Sequence, residues 1–184
     1  TIDMKTEEGR DLVMQLAASA DVLLENFRPG VMDRLSLGYE TVKAVNPAIV
    51  YASISGFGNE SPLRDLPAFD LVIQAMSGLM SLTGPKGGPA TAVGESIADV
   101  STGMFAAFGV VAALFNRERT GAGRRVDVSM LDSMMAMQLT GLSRQLYGLT
   151  MHSERNRSRK PAKGEKIVRS ASGIPTTTER RFRR

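Results

Sequence analysis

The sequence predicts an α/β fold with a mostly parallel sheet, followed by a disordered basic tail. Three observations lead there. Short apolar or β-branched runs at residues 21–25, 48–55 and 125–129 alternate with stretches of helical periodicity. The segment Ile97 to Arg119 is apolar on almost every face between Met104 and Phe115, which predicts a buried helix. Past Leu149 the pattern stops. Residues 151–184 mix Arg, Lys, Ser, Thr, Gly and Pro without periodicity and bury too little to offset their ordering entropy. The expected units are therefore 1–149, an α/β domain, and 150–184, an atypical tail.

Lys5 to Ala20 reads as an amphipathic helix, with Leu12, Val13, Leu16 and Ala20 at helical spacing. Thr6 offers a hydroxyl cap, and Glu7 and Glu8 suit a first turn whose amides are exposed. The strand Asp21 to Glu25 leads into Asn26-Phe-Arg-Pro-Gly30, where Pro29 can open a helical stretch to about Leu35. Glu40 to Val45 makes a short helix, and Ala48 to Ser55 a second strand. A loop from Gly56 to Pro62 precedes a helix from Ala68 to Met80. Gly84 to Gly94, with four glycines and two prolines, reads as a loop. After the apolar helix come a third strand, Arg125 to Ser129, and a final helix from Met130 to Tyr147.

Composition narrows the chemistry. The net charge of +4 is unevenly spread: residues 151–184 hold 11 Lys and Arg against 3 Asp and Glu, whereas residues 1–150 hold 12 against 16. The domain is mildly acidic and the basic character belongs to the tail. The tail's one aromatic residue, Phe182, gives single-stranded nucleic acid little to stack on, so no nucleic-acid partner is expected. With no cysteine there is no disulfide, thiolate metal site or cysteine nucleophile, which fits a cytoplasmic protein. His152 is the sole histidine, so a Ser-His-Asp triad or a His-ligated metal has no foundation. The apolar run Met104 to Phe115 falls short of the ~20 residues of a membrane span.

Two positions stand out for chemistry. Asp99 lies between the glycine-rich loop and the apolar helix, in the first turn, where the positive helix end favours an anion. On this feature alone it fits first a residue that helps the helix start, and it also fits a carboxylate nucleophile. Asn26-Phe27-Arg28 follows a strand as ligand-contacting loops do; an Arg fork suits phosphate and a Phe face suits a base. The same residues also fit a plain turn. Gly56-Phe-Gly58 lacks a third glycine, with Ser61 in its place, and Gly84-Pro-Lys-Gly-Gly88 lacks the P-loop ending. Met130, Met134, Met135 and Met137 read as core.

Several segments together resemble the class III coenzyme A transferases, the family of formyl-CoA transferase, carnitine CoA-transferase and the α-methylacyl-CoA racemases. They are Ala20 to Tyr39, with its Glu-Asn-Phe-Arg-Pro-Gly run, Ile49 to Gly58, Pro67 to Gly78, Ala98 to Met104, and Arg119 to Asp132. The resemblance implies a partial Rossmann-like large domain. It also implies an acyl-CoA:carboxylate CoA-transferase in which Asp99 is the nucleophile and an aspartyl-CoA thioester forms. Acyl-CoA and a small carboxylic acid are then substrates, and no permanently bound cofactor or metal is expected. The coenzyme A contacts it implies are Asn26, Phe27, Arg28, Arg34, Phe69 and Asp70.

The racemase branch carries a histidine as an acid–base group where this chain has Phe69, and a phenyl ring moves no proton. Transferase chemistry is therefore expected over racemisation or epimerisation. Family members also have an upstream strand and loop, a later small domain and an interlocked homodimer. The 184 residues accordingly read as a fragment, inactive alone, with the apolar helix under-covered on one side. A non-catalytic fragment whose basic tail binds an acidic partner is the alternative.

Overall fold

A computed structural model describes residues 1–85, 88–146, 168–169 and 175–176. Helix α1 spans Glu7–Ser19 and strand β1 Val22–Glu25; α2 (Val31–Arg34) and α3 (Tyr39–Val45) lead to β2 (Val50–Ser55). Then follow α4 (Asp70–Met76), α5 (Leu79–Leu82), α6 (Ile97–Thr120), β3 (Arg125–Ser129), α7 (Met130–Met137) and α8 (Leu139–Leu146). The three strands form one parallel sheet in the order β1-β2-β3, as expected. Val22 pairs with Val50 and Ala52 with Val126.

Strand alternation explains the layers. Tyr51 points to one face and packs with Ala17, Val42 and Ile49, so α1 and α3 cover that side. Val126, beside Ala52, points to the other, where α6 approaches so closely that a Cβ on Gly109 would lie 2.7 Å from the Val126 side chain. Central β2 is covered on both faces, which accounts for its near-continuous burial. The Thr6 hydroxyl accepts from the Gly9 amide at 3.0 Å and starts α1. The Asn46 side chain donates to the carbonyls of Ala17 and Ala20, both at 2.9 Å, and so satisfies the helix's other end.

A second core lies beyond the carboxyl ends of the strands. Phe57, Ile73, Ala98, Met130 and Met134 meet there, joining the loop after β2 to α4, α6 and α7. It is this cluster that fixes the start of α6 relative to the sheet.

Four expectations need correction. The helix expected from Ala68 to Met80 is two: Phe69 is extended, and Gly78 turns left-handed at φ 82° to end α4. The helix expected from Met130 to Tyr147 breaks at Gln138, whose side chain donates to the carbonyls of Ser77 and Met134. Its last residue lies outside the described ones. Helix α6 is not buried all round. A stripe of small residues, Ala98, Ser101, Thr102, Ala106 and Ala113, is covered, whereas Met104, Phe108, Val111 and Phe115 are each more than half exposed. Among the described residues the cover comes from the sheet, α4 and α7, and the opposite face of α6 has none. Over its full 24 residues α6 also reaches the length and apolarity of a membrane span, which the shorter run did not; its small-residue stripe packs on the sheet as a core helix does.

The expectation of a disordered tail falls outside the described residues, apart from the antiparallel pairing of β4 (Val168–Arg169) with β5 (Pro175–Thr176).

The packing yields a direct test. A Cβ on Gly56 would overlap that of Ala68, where the loop after β2 meets the lead-in to α4. Gly56→Ala should cost about 1–3 kcal/mol in urea unfolding, the usual range for overpacking. Unchanged stability would mean that this junction is loose.

Candidate active site

The site builds outward from the start of α6. Helix N-termini expose amides without intrahelical partners, and here a carboxylate from α4 supplies the acceptor. Asp70 Oδ1 accepts from the amides of Ala98 at 2.7 Å and Asp99 at 3.3 Å. Asp70 Oδ2 accepts from Gln74 Nε2 at 2.5 Å. Ala98 is wholly buried, so the backbone one residue before Asp99 is held in the core, while Asp99 itself meets solvent.

Asp99 and Asp70, expected from sequence as separate nucleophile and coenzyme A contact, are thus brought together. Both Asp70 oxygens are engaged within the protein, which gives that residue a structural task. Phe69 precedes it and is 68% exposed. The electrostatic expectation for Asp99 is reversed. Partial burial, and next the Asp70 charge, push its carboxyl above the 3.8 of an ordinary aspartate. The helix end does not offset this, because Asp70 already occupies the amides that would have favoured the Asp99 anion.

The second group of expected residues follows β1. Asn26 Nδ2 donates to the Ile54 carbonyl at 2.8 Å, tying this loop to the end of β2. The Phe27 amide donates to Glu25 Oε2 at 2.8 Å. Arg28 and Arg34 are exposed and make no ion pair among the described residues. The two groups flank the same strand end: Asn26 holds Ile54, and Gly56 abuts Ala68, two residues before Asp70. In parallel sheets, ligands bind outside the carboxyl ends of strands.

Sequence reading missed two features. One is a polar chain on the α1/α3 face of the sheet. Ser53 bonds Glu25, Asn59 bonds both Ser53 and Asp127, and Arg125 pairs with Asp127 at 2.8 Å. Glu25, Ser53, Asn59 and Arg125, with Arg28 and Asp33, line a small polar hollow. Arg125 and Asp127, and likewise Tyr51 and Ser53, sit two apart on strands, so alternation could have put them on one face. The other is Gln74, fully buried on α4 and four residues after Asp70. No groups of three or more metal-ligating side chains occur among the described residues.

The raised Asp99 value has a stability consequence. A carboxylate disfavoured in the fold costs nothing while protonated, and the cost grows as pH rises above the unfolded value of 3.8. Asp99→Asn should therefore melt higher than the parent at neutral pH, the gap closing below pH 3.8. Thermal unfolding across pH checks this; a variant less stable at neutral pH would contradict it.

Comparison with known proteins agrees with the resemblance. The family model described as CoA-transferase family III matches residues 1–174. An acetyl-CoA:oxalate CoA-transferase of Acetobacter aceti is 48% identical over 136 residues, which cover 73% of this chain and 35% of that protein. A succinyl-CoA:mesaconate CoA-transferase of Haloarcula hispanica is 42% identical, covering 74% and 35%. The crystal structure of a CAIB/BAIF family protein from Brucella suis superposes with a TM-score of 0.78 at 39% identity, covering 80% of this chain and 39% of that one. The chain spans about a third of the length of the curated relatives it matches. On the family model and on these identities, the chain belongs to CoA-transferase family III.

Proposed function

We propose that the full-length protein carrying this chain is an acyl-CoA:carboxylate CoA-transferase with Asp99 as its nucleophile. The observation that carries the reading is the first turn of α6. A solvent-reachable carboxylate stands there on a backbone fixed by the core and by Asp70, beside the carboxyl end of a parallel sheet. A nucleophile must be ionised and held in place, and reach the reacting carbonyl.

The Asp99 carboxylate attacks the donor thioester carbonyl and expels the coenzyme A thiolate, leaving a mixed anhydride. The thiolate attacks the aspartyl carbonyl of that anhydride, releasing the donor acid and forming an aspartyl-CoA thioester. The acceptor carboxylate attacks this thioester and frees the thiolate again. Thiolate attack on the acceptor's carbonyl then gives the new acyl-CoA and restores Asp99. No net proton transfer is needed, which suits a site whose neighbour to Asp70 is Phe69 rather than an acid–base group.

Arg28 and Arg34 are assigned to the coenzyme A phosphates, and Asn26, Phe27, Phe69 and the Asp70 turn to the remainder of that ligand. The absence of competing ion pairs at both arginines among the described residues supports this. The relatives named for oxalate and mesaconate point to a small carboxylic acid as acceptor. A cytoplasmic homodimer, and a division at residues 149 and 150, complete the reading. The bare outer face of α6 is the reason to place activity in the longer protein and to expect none from these residues alone.

Hydroxylamine or borohydride added during turnover should modify Asp99, and Asp99→Ala should abolish exchange between acyl-CoA and carboxylic acids. Near-normal turnover of that variant would refute the assignment. Activity should fall on the acid side at a pH above the ordinary aspartate value, as Asp99 takes up its proton. For Arg28→Ala, calorimetry should find coenzyme A bound at least about ten-fold more weakly, the loss of ~1.4 kcal/mol or more. Unchanged affinity would return Arg28 to a solvated turn.

A further inference from the structure

The amide of Gln74 is wholly buried, yet none of its hydrogen-bonding groups is idle. Its Oε1 accepts from the Val93 amide at 2.9 Å. Its Nε2 donates to Asp70 Oδ2 at 2.5 Å and to the Glu95 carbonyl at 3.3 Å. The network fixes the amide's orientation, because the flipped amide would turn its donors toward the Val93 N–H and its acceptor toward the carboxylate. One side chain on α4 therefore grips two things. It holds the last residues of the loop that feeds α6, and it holds the carboxylate that caps α6.

Each grip bears on Asp99 by a short path. Asp70 reaches the Asp99 amide directly. The Glu95 carbonyl also accepts from the Ile97 amide at 2.8 Å, which sets the entry to the helix. An apolar side chain of similar volume would preserve the packing around position 74 but leave three polar groups without this partner.

We propose that Gln74 is a positioning residue for the reaction, holding the Asp70 carboxylate and the Val93–Glu95 segment so that Asp99 meets the thioester in its attacking geometry. This rests on the reading of Asp99 as nucleophile. It assigns Gln74 no contact with substrate.

The test uses the full-length protein and acetyl-CoA, with the Asp99 acyl-enzyme trapped by hydroxylamine in a single turnover. Gln74→Met should lower the trapping rate per folded molecule about 100-fold, the scale of a misplacement near 1 Å. Its dissociation constant for coenzyme A should rise far less than the trapping rate falls, since the contacts assigned to Arg28 and Arg34 stay in place. Gln74→Glu provides the second arm. Two facing carboxylates at positions 70 and 74 repel, whereas one shared proton restores a donor toward Asp70. The ratio of its trapping rate to that of wild type should rise as pH falls, read above the range in which Asp99 takes up its proton, because charge at positions 70 and 74 also bears on Asp99. Of the other acidic groups nearby, Glu95 meets position 74 through its backbone carbonyl, and Asp132 on α7 is bonded to Ser129.

A Gln74→Met protein that melts lower but traps at the wild-type rate would overturn the proposal and leave Gln74 a core residue. A Gln74→Glu ratio flat with pH would do the same, and decides alone if Gln74→Met does not fold. Failure to trap Asp99 in the wild type would sink the nucleophile reading and this inference with it. A normal wild-type adduct beside an unaffected variant sinks this inference only.

Discussion

A helix of 24 residues begins with amides that find no partner inside it, and the start of α6 lies at the buried junction of four elements. Water cannot satisfy every amide there, and Ser96, at the cap position, makes no side-chain cap bond. Asp70 supplies the acceptor from another helix instead. A long-range cap does something a local one cannot: it fixes the distance between two elements as well as the end of one. Asp70 and Ala98 are 28 residues apart in sequence, and their bond pins α4 to α6 at the point where the candidate nucleophile stands.

That arrangement carries an electrostatic cost with a chemical use. The helix end that would have favoured the Asp99 anion is already neutralised by Asp70, whose own charge then opposes a second one nearby. A carboxylate less stabilised as an anion is also more basic. A nucleophile held too comfortably would gain little by attacking, so this destabilisation suits the group assigned to covalent catalysis.

The order of elements was legible because each rests on short-range chemistry. Thr6 and the acidic pair Glu7 and Glu8 announce α1, and Gly121, left-handed at φ 71°, closes α6 as a glycine does. The breaks at Gly78 and Gln138 were not legible. Gly78 sits inside an otherwise helical pattern, and Gln138 leaves the helix to bond Ser77, 61 residues away. The candidate site divides along the same line. Asp99 and Arg28 were found through motif context, but spacing does not reveal that Asp70 and Gln74 serve Asp99 across two helices. A polar residue four places after an acidic one on a helix has many uses, and only burial shows which applies.

Helix α6 also shows how one element answers to several constraints. Its covered stripe is made of small residues because the backbone must lie close to the sheet; Gly109 faces Val126 at a distance that leaves no room for a side chain. Large residues are therefore forced to the remaining faces, and Met104, Phe108, Val111 and Phe115 fall on the side that the described residues leave open. Contiguous exposed apolar residues of this kind are uncommon on a solvent-facing surface. The same helix that presents Asp99 at its first turn thus carries an apolar outer face along its middle. Covering that face would stiffen the helix on which the Asp99 carboxylate is mounted.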